Sequence, residues 1–376
     1  MKIVFTGGGT GGHFYPIIAV AQKVNQIIDQ EHILGARLYY FSDGPYDKEI
    51  LLENRFLYEE ITSGKMRTYF SFKNFVDIFK VFFGTLSAIF KMFSIYPDVV
   101  FGKGGYASFP TIFAARILRI PLVIHESDSV PGRVNKWAGH FAQKVAVSFA
   151  GAVIYFPKKT VAWTGQPIRA EIEHGTNRKE ALEYFKLEEK IPVIVILGGS
   201  QGAELINNVV LDALPRLIKN YQIIHQTGVK KFKTVSSQAE VILSKNKYST
   251  KYLPFPFLNP LQMKMVAGVA TIIVSRAGST LFEIASWGVP SILVPFKNSH
   301  ADHSRKNAFS YARAGACGVI EEANMTANIL SSEIERITND KISYERMAQN
   351  AKAFNKSGAA EKIARAIVDI ALGHEK

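Results

Sequence analysis

The sequence predicts an α/β protein built from two doubly wound, parallel-sheet halves. Three observations carry that expectation. Residues 2–21 join a short β-branched and aromatic run, a six-residue loop with five glycines and a helical apolar pattern. The same strand, small-residue loop and helix recur at 98–118, 193–214 and 271–287. Between 160 and 177 the apolar periodicity lapses around Gly165, Pro167 and Gly175, which places a domain boundary there, with domains at 1–163 and 164–350. Strands that alternate with helices favour parallel sheets, and duplication of the unit is architectural rather than a short-period repeat.

In chain order, 2–6 is the first strand, and Gly7-Gly8-Gly9-Thr10-Gly11-Gly12 follows at once. Pro16 stands where a first helical residue would, and Ile17, Val20, Val24 and Ile28 recur at helical spacing. Segments 37–42 and 58–62 are further strands, with a short helix at 49–54 between them. From Phe72 a helix would align Phe72, Phe75, Phe79, Phe82, Phe83, Leu86, Phe90 and Phe93 in one stripe and Lys73, Lys80 and Lys91 on another face. That pattern fits either a helix in an anionic membrane interface or a core helix with solvated lysines. Residues 98–101 form a strand before Gly102-Lys103-Gly104-Gly105, and 121–125 form the next, delivering His125-Glu126-Ser127-Asp128 to the same sheet edge. In the second half, 193–197, 221–226, 251–253, 271–275 and 291–294 read as strands, and three helices between 329 and 371 close the chain.

Composition bounds the function. The 376 residues suffice for two or three domains, and 47% hydrophobic with 20% charged residues is an ordinary globular balance. Forty-five Lys and Arg against thirty-two Asp and Glu leave +13, which implies anionic partners. No basic motif that would enter a groove or stack bases is present, so nucleic acid is not an expected partner. Cys317 is the single cysteine, which excludes an internal disulfide and a cysteine-cluster metal site. The opening lacks an apolar signal region, and the longest nearly apolar stretch, 81–90, is about half of the ~20 residues of a spanning helix, so a cytosolic protein is expected.

The glycine loops suit phosphate, because glycine lets backbone N–H groups approach an anion and a following helix favours negative charge at its start. His13 follows the last glycine of the first loop. It is either a general base acting on a hydroxyl or a hydrogen-bonded residue that shapes the turn. Glu126 at a strand end either orients a partner or is a solvated loop acid. The first loop is not a dinucleotide fingerprint, since no ribose-binding acid ends a second strand. His300, Asp302 and His303 lack helical HExxH spacing, and no DxD pair occurs, so no metal and no cofactor are expected.

Five segments, GGGTGGHFYP at 7–16, GKGGYASFP at 102–110, HES with PGRVNK between 125 and 136, GGSQGAELIN at 198–207 and SRAGSTLFEIASWGVPSILVP at 275–295, resemble the MurG family in order along nearly the whole chain. The resemblance implies the GT-B fold, two Rossmann-like domains facing across a cleft, with a last helix at about 355–372 packing back on the N-terminal domain. It implies inverting transfer of N-acetylglucosamine from UDP-GlcNAc to the 4-hydroxyl of MurNAc in lipid I, giving lipid II for the peptidoglycan cell wall. His13 would be the base, assisted or replaced by Glu126. Thr10, Gly11, Gly12, Gly104, Gly105 and Asp128 would serve the acceptor. Arg169, Ser200, Gln201, Gly202, Arg276, Gly278, Ser279, Glu283, His303 and Ser304 would serve the donor; Arg276 is alternatively structural. Two positions depart from the family pattern. Ser127-Asp128 replaces Gln-Asn on the acceptor side, and His303-Ser304 replaces a glutamine pair that reads the donor sugar. A UDP-sugar transferase for another lipid and a catalytically silent sugar-nucleotide-binding membrane protein are therefore the alternatives. The stretch from Lys65 to Lys91 would dock peripherally on the anionic cytoplasmic face of the cell membrane.

Overall fold

The computed structural model describes residues 1–64, 72–199, 202–297 and 302–373, and the backbone alone at 72–76. The chain divides into two compact units, residues 1–169 with 356–376, and residues 170–355.

The first unit is a seven-stranded parallel sheet. Its strands are β1 (Lys2–Thr6), β2 (Arg37–Ser42), β3 (Phe56–Glu60), β4 (Val99–Gly102), β5 (Leu122–Glu126), β6 (Lys144–Val147) and β7 (Val161–Trp163). They lie in the order β3-β2-β1-β4-β5-β6-β7. The chain winds outward from β1 one way to β3 and, after the long Phe72–Ile95 helix, the other way from β4 to β7. The order reverses between β1 and β4, whose register pairs Thr6 with Gly102. Ligands of doubly wound sheets bind beyond the strand C-termini at such a reversal.

The second unit repeats the plan with β8 (Val193–Leu197), β9 (Gln222–Gln226), β10 (Tyr252–Phe255), β11 (Ile272–Ser275), β12 (Ser291–Leu293) and β13 (Cys317–Val319), ordered β10-β9-β8-β11-β12-β13. Its reversal lies between β8 and β11, where Leu197 pairs with Ser275. The central strands are buried on both faces, which is why β8 is the unbroken apolar run VIVIL. Sequence periodicity misses β6, β7 and β13. They are three or four residues long, and β7 is an edge strand with exposed Ala162 and Trp163.

The final helix, Ala359–Gly373, belongs to the first unit. Its Ile363, Ala364, Ile367, Val368 and Ala371 enter the same core as Ile17, Val20, Val24 and Ile27 of the Gly11–Gln30 helix. That first helix begins five residues before Pro16, which lies inside it. The consequence is that Gly11, Gly12 and His13 form its first turn, with no acid there to offset the positive helix end.

The Phe72–Ile95 helix corrects the expectation of a short apolar stretch. Among the described residues, Asp77–Ile95 is the one segment long and apolar enough, by length and composition, to cross a membrane, although just 17% of that window is buried. Among its described residues Gly84, Ala88 and Met92 are buried, whereas Ile78, Phe79, Phe82, Phe83, Leu86, Phe90 and Phe93 are exposed, Phe82 at 57% and Phe90 at 72%. The aromatic stripe therefore faces outward rather than into the core. Lys91 does not line up as a free cation, because its ammonium donates to the Glu59 carboxylate (2.6 Å) and the Glu60 carbonyl (3.2 Å). The side chains of Phe72, Lys73 and Phe75, and Lys65 itself, lie outside the described residues.

Gly84 sets how closely this helix approaches the segment after β3, since an added Cβ would lie 1.7 Å from the Thr62 carbonyl oxygen. Gly84→Ala must push two backbones apart. We expect it to lower unfolding stability in urea by about 1–3 kcal/mol, as overpacking does; an unchanged midpoint would mean that the segment yields freely.

Candidate functional site

In the first unit the two glycine loops emerge from neighbouring strands and meet at His13. Gly105, at φ 81°, is so close that an added Cβ would stand 2.9 Å from the imidazole Cε1. The Gly8 carbonyl lies 3.1 Å from His13 Nδ1. A carbonyl oxygen can accept but not donate, so Nδ1 carries the proton and Nε2 keeps its lone pair. Burial and the nearby Lys103 ammonium hold the imidazole below its ordinary pKa, so it is neutral at pH 7. A neutral imidazole with one unprotonated nitrogen at a helix start has the form of a general base.

Glu126 ends β5 and is 4% exposed. Both of its carboxylate oxygens are engaged: the Asp128 N–H donates to Oε1 at 2.9 Å, and the Gly132 N–H (3.1 Å) and Asn135 Nδ2 (3.0 Å) donate to Oε2. The residue thus closes the loop from 126 to 135. Asn135 also donates to the His125 carbonyl at 3.0 Å and packs under the second glycine loop, 2.6 Å from where a Gly104 Cβ would be. Burial and the neighbouring Asp128 push the Glu126 carboxyl up to about 7, against the opposing pull of Lys103 and the N–H donors.

Beneath both loops, Lys103 is buried, and its ammonium donates to the Ser127 hydroxyl at 2.5 Å. Ser127 in turn donates to Gln166 Oε1 at 2.7 Å, as does Ser148. Arg169 lies in this first unit, its guanidinium 4.0 Å over the Tyr15 ring, so the structure sets it against the first helix. Thr10 is the exposed N-cap of that helix, Gly11 is crowded by Tyr15 and Tyr46, and Gly12 and Asp128 are half-buried.

In the second unit the third glycine loop leaves β8, the Arg276–Ser279 turn leaves β11, and His303 and Ser304 follow β12, so three adjacent strands present them at one sheet edge. Ser200, Gln201 and His300 lie outside the described residues. Gly202, at φ 76°, leaves no room for a Cβ, which would sit 2.4 Å from the Thr227 carbonyl oxygen. Asn207 donates to that same carbonyl at 2.9 Å, so its Oδ1 accepts from His225 Nε2 (3.0 Å), and His225 Nδ1 accepts from the Tyr252 hydroxyl (2.9 Å). This buried chain ties the start of the Glu204–Leu217 helix to the end of β9, beside Gly202.

Arg276 opens the turn that follows β11. Its guanidinium pairs with Glu322 at 2.6 Å and donates to the Val294 carbonyl at 3.2 Å. Gly278 is exposed, Ser279 precedes the Thr280–Trp287 helix at its N-cap position without a side-chain capping bond, and Glu283 sits half-buried in its first turn. Ser304 accepts from the Phe296 N–H at 2.9 Å, beside His303 at the start of the His303–Arg313 helix. Among the described residues, no three of His, Cys, Asp and Glu gather as a metal-holding group.

Sequence reasoning missed Asn135 and the role of Lys103. The lysine had one visible signal, a long cation between glycines where the rest of the loop is small. Asn135 had none, because it reaches Glu126 only through the fold.

The N-terminal domain of glycosyltransferase family 28 matches residues 3–147, and its C-terminal domain matches 193–363. A Bacillus thuringiensis subsp. konkukian protein named UDP-N-acetylglucosamine–N-acetylmuramyl-(pentapeptide) pyrophosphoryl-undecaprenol N-acetylglucosamine transferase 2 is 35% identical over 346 residues, 92% of this chain and 93% of its own. The relative of the same activity name from Halothermothrix orenii is 35% identical over 99% of this chain and 100% of its own. Among solved structures, Acinetobacter baumannii MurG superposes with a TM-score of 0.72 at 25% identity, covering 98% of this chain and 99% of that one. The UDP-GlcNAc 2-epimerase of Neisseria meningitidis shares the fold at a TM-score of 0.69 and 15% identity, over 98% of this chain and 100% of that one. Two doubly wound units with glycine loops at both sheet reversals, and sequence agreement along almost the whole length, place the chain in glycosyltransferase family 28 as a member of the MurG family, with the GT-B fold.

Proposed function

We propose that this enzyme transfers N-acetylglucosamine from UDP-GlcNAc to the 4-hydroxyl of MurNAc on lipid I, inverting the anomeric carbon, at the cytoplasmic face of the membrane. The observation that carries the reading is the meeting of the two N-terminal glycine loops at His13, together with relatives that are named for this transfer. The first unit takes the acceptor. The N–H groups of Gly11 and Gly12 at the helix start, with Gly104 and Gly105 opposite, receive its diphosphate. Thr10 and Asp128 flank that site. His13 Nε2 removes the proton of the 4-hydroxyl as oxygen attacks the anomeric carbon, and Glu126 holds the acceptor loop rather than taking the proton.

The second unit takes the donor. Ser200, Gln201 and Gly202 meet the diphosphate, Glu283 accepts from the ribose hydroxyls, Gly278 and Ser279 let the nucleotide approach the helix start, and His303 and Ser304 read the sugar. Arg276 acts through its ion pair by holding the turn that carries Gly278, and Arg169, which stacks on Tyr15 in the first unit, offsets diphosphate charge there. The departing UDP needs charge stabilisation as the bond breaks, and fixed N–H donors supply it without reorganisation.

Lipid I lies in a membrane, and the exposed face of the Phe72–Ile95 helix supports peripheral docking through this helix, with Phe79, Phe82, Phe83, Phe90 and Phe93 in the interface and Lys80 towards anionic headgroups.

Three outcomes test this reading. With UDP-GlcNAc and a short-chain lipid I analogue, His13→Ala should lower kcat by about 10²–10⁴; wild-type protein that binds UDP-GlcNAc yet forms no β-linked disaccharide lipid would refute the assignment. The Glu126 carboxyl, raised to about 7, is charged above that pH and loses its charge below it. Transfer should therefore fall as pH drops through about 7, and a Glu126→Gln variant should lack that limb. Phe79→Asp or Phe82→Asp should weaken co-sedimentation with anionic liposomes while circular dichroism stays native; unchanged binding would remove the helix from the docking surface.

A further inference from the structure

Lys103 is 1% exposed and ranks among the largest fully buried side chains. A buried ammonium is costly unless its charge is compensated. Its hydrogen bond goes to the neutral Ser127 hydroxyl, so the compensation comes from Glu126 and Asp128, the two carboxylates that act on it. The groups that act on Glu126 come from three elements: Lys103 from the second glycine loop, Asp128 from the loop after its own strand and Asn135 from the Arg133–Ala138 helix, while His13 and His125, the nearby histidines, face Lys103. Both histidines are held neutral by burial and by the lysine charge. Lys103 is thus the cation that bears on Glu126.

We propose that Lys103 is a positioning residue of the acceptor site, the buried counter-charge that favours the carboxylate form of Glu126 and thereby the closed loop from 126 to 135. The chemistry follows from the hydrogen bonds. An ionised Glu126 accepts from the Asp128 and Gly132 N–H groups and from Asn135, whereas a protonated one turns one oxygen into a donor facing N–H groups and loses an acceptor. The same ammonium disfavours a second positive charge on His13, so it also keeps Nε2 available. Lys103 itself is pulled down to about 8 by burial, offset by Glu126 and Asp128, so it remains charged at pH 7. This role rests on the function proposed above, but its first test needs no turnover.

In the free full-length protein, infrared difference spectra of wild type against Glu126→Gln isolate the Glu126 carboxyl band. We expect its midpoint near 7, rising by a unit or more in Lys103→Met, a tenfold smaller charged fraction at the acid end. Asp128→Asn should move it down. A midpoint unmoved by Lys103→Met in a folded variant overturns the proposal. Should that variant fail to fold, the reciprocal measurement decides: coupling is mutual, so in Glu126→Gln the Lys103 ammonium, followed by NMR of ¹³Cε-lysine, must titrate lower than in wild type, and an equal midpoint overturns the proposal. In turnover, Lys103→Met should raise the acceptor KM at pH 7 by about fivefold or more and recover at pH 8.5, a recovery that lost packing alone would not give. Intact titration shifts in a wild type that does not use lipid I would support the charge pairing and refute the proposed substrate.

Discussion

The pairing of β1 with β4 is the constraint on which the acceptor side of this molecule depends. Thr6 and Gly102 are register partners, so the loops that follow them leave the sheet side by side. With strands about 5 Å apart, two such loops come within contact distance. Contact between Gly105 and His13 follows, and a Cβ at Gly105 would break it. The early start of the first helix completes the arrangement, because it puts His13 in the first turn instead of in the preceding loop.

The second unit solves the same problem with different parts. Its reversal between β8 and β11 sets a glycine loop beside the Arg276–Ser279 turn. There the rigidity comes from buried neutral groups, with His225 locked between Asn207 and Tyr252, and from the Arg276 to Glu322 ion pair. In the first unit it comes from charge. Lys103 and Glu126 are buried beside Asp128 and act on one another, so these residues cannot be treated as independent.

The Phe72–Ile95 helix illustrates a limit of periodicity. A moment analysis finds an aromatic face and a lysine face, but it does not say which one the protein covers. Packing answered that through small residues. Gly84 and Ala88 let the helix lie close against its own domain, and the bulky stripe is left outside. An exposed aromatic band on a helix this apolar is a surface built for contact.

The sequence by itself determined the units of the fold: strand, glycine loop and helix, with the strand spans of β1, β2 and β8 legible because buried parallel strands are short unbroken apolar runs. The glycine loops stood out because they follow those strands directly. Strand order, and therefore which loops are neighbours, was decided by the tertiary structure, as were the short strands β6, β7 and β13, which carry too few residues for a period. So were the partners of Glu126 and Arg276 and the placement of Arg169 over Tyr15. Local patterns record how each segment satisfies its own backbone and its own face. The charge on a buried side chain depends on groups brought from distant segments, and that information exists only once the sheets have formed.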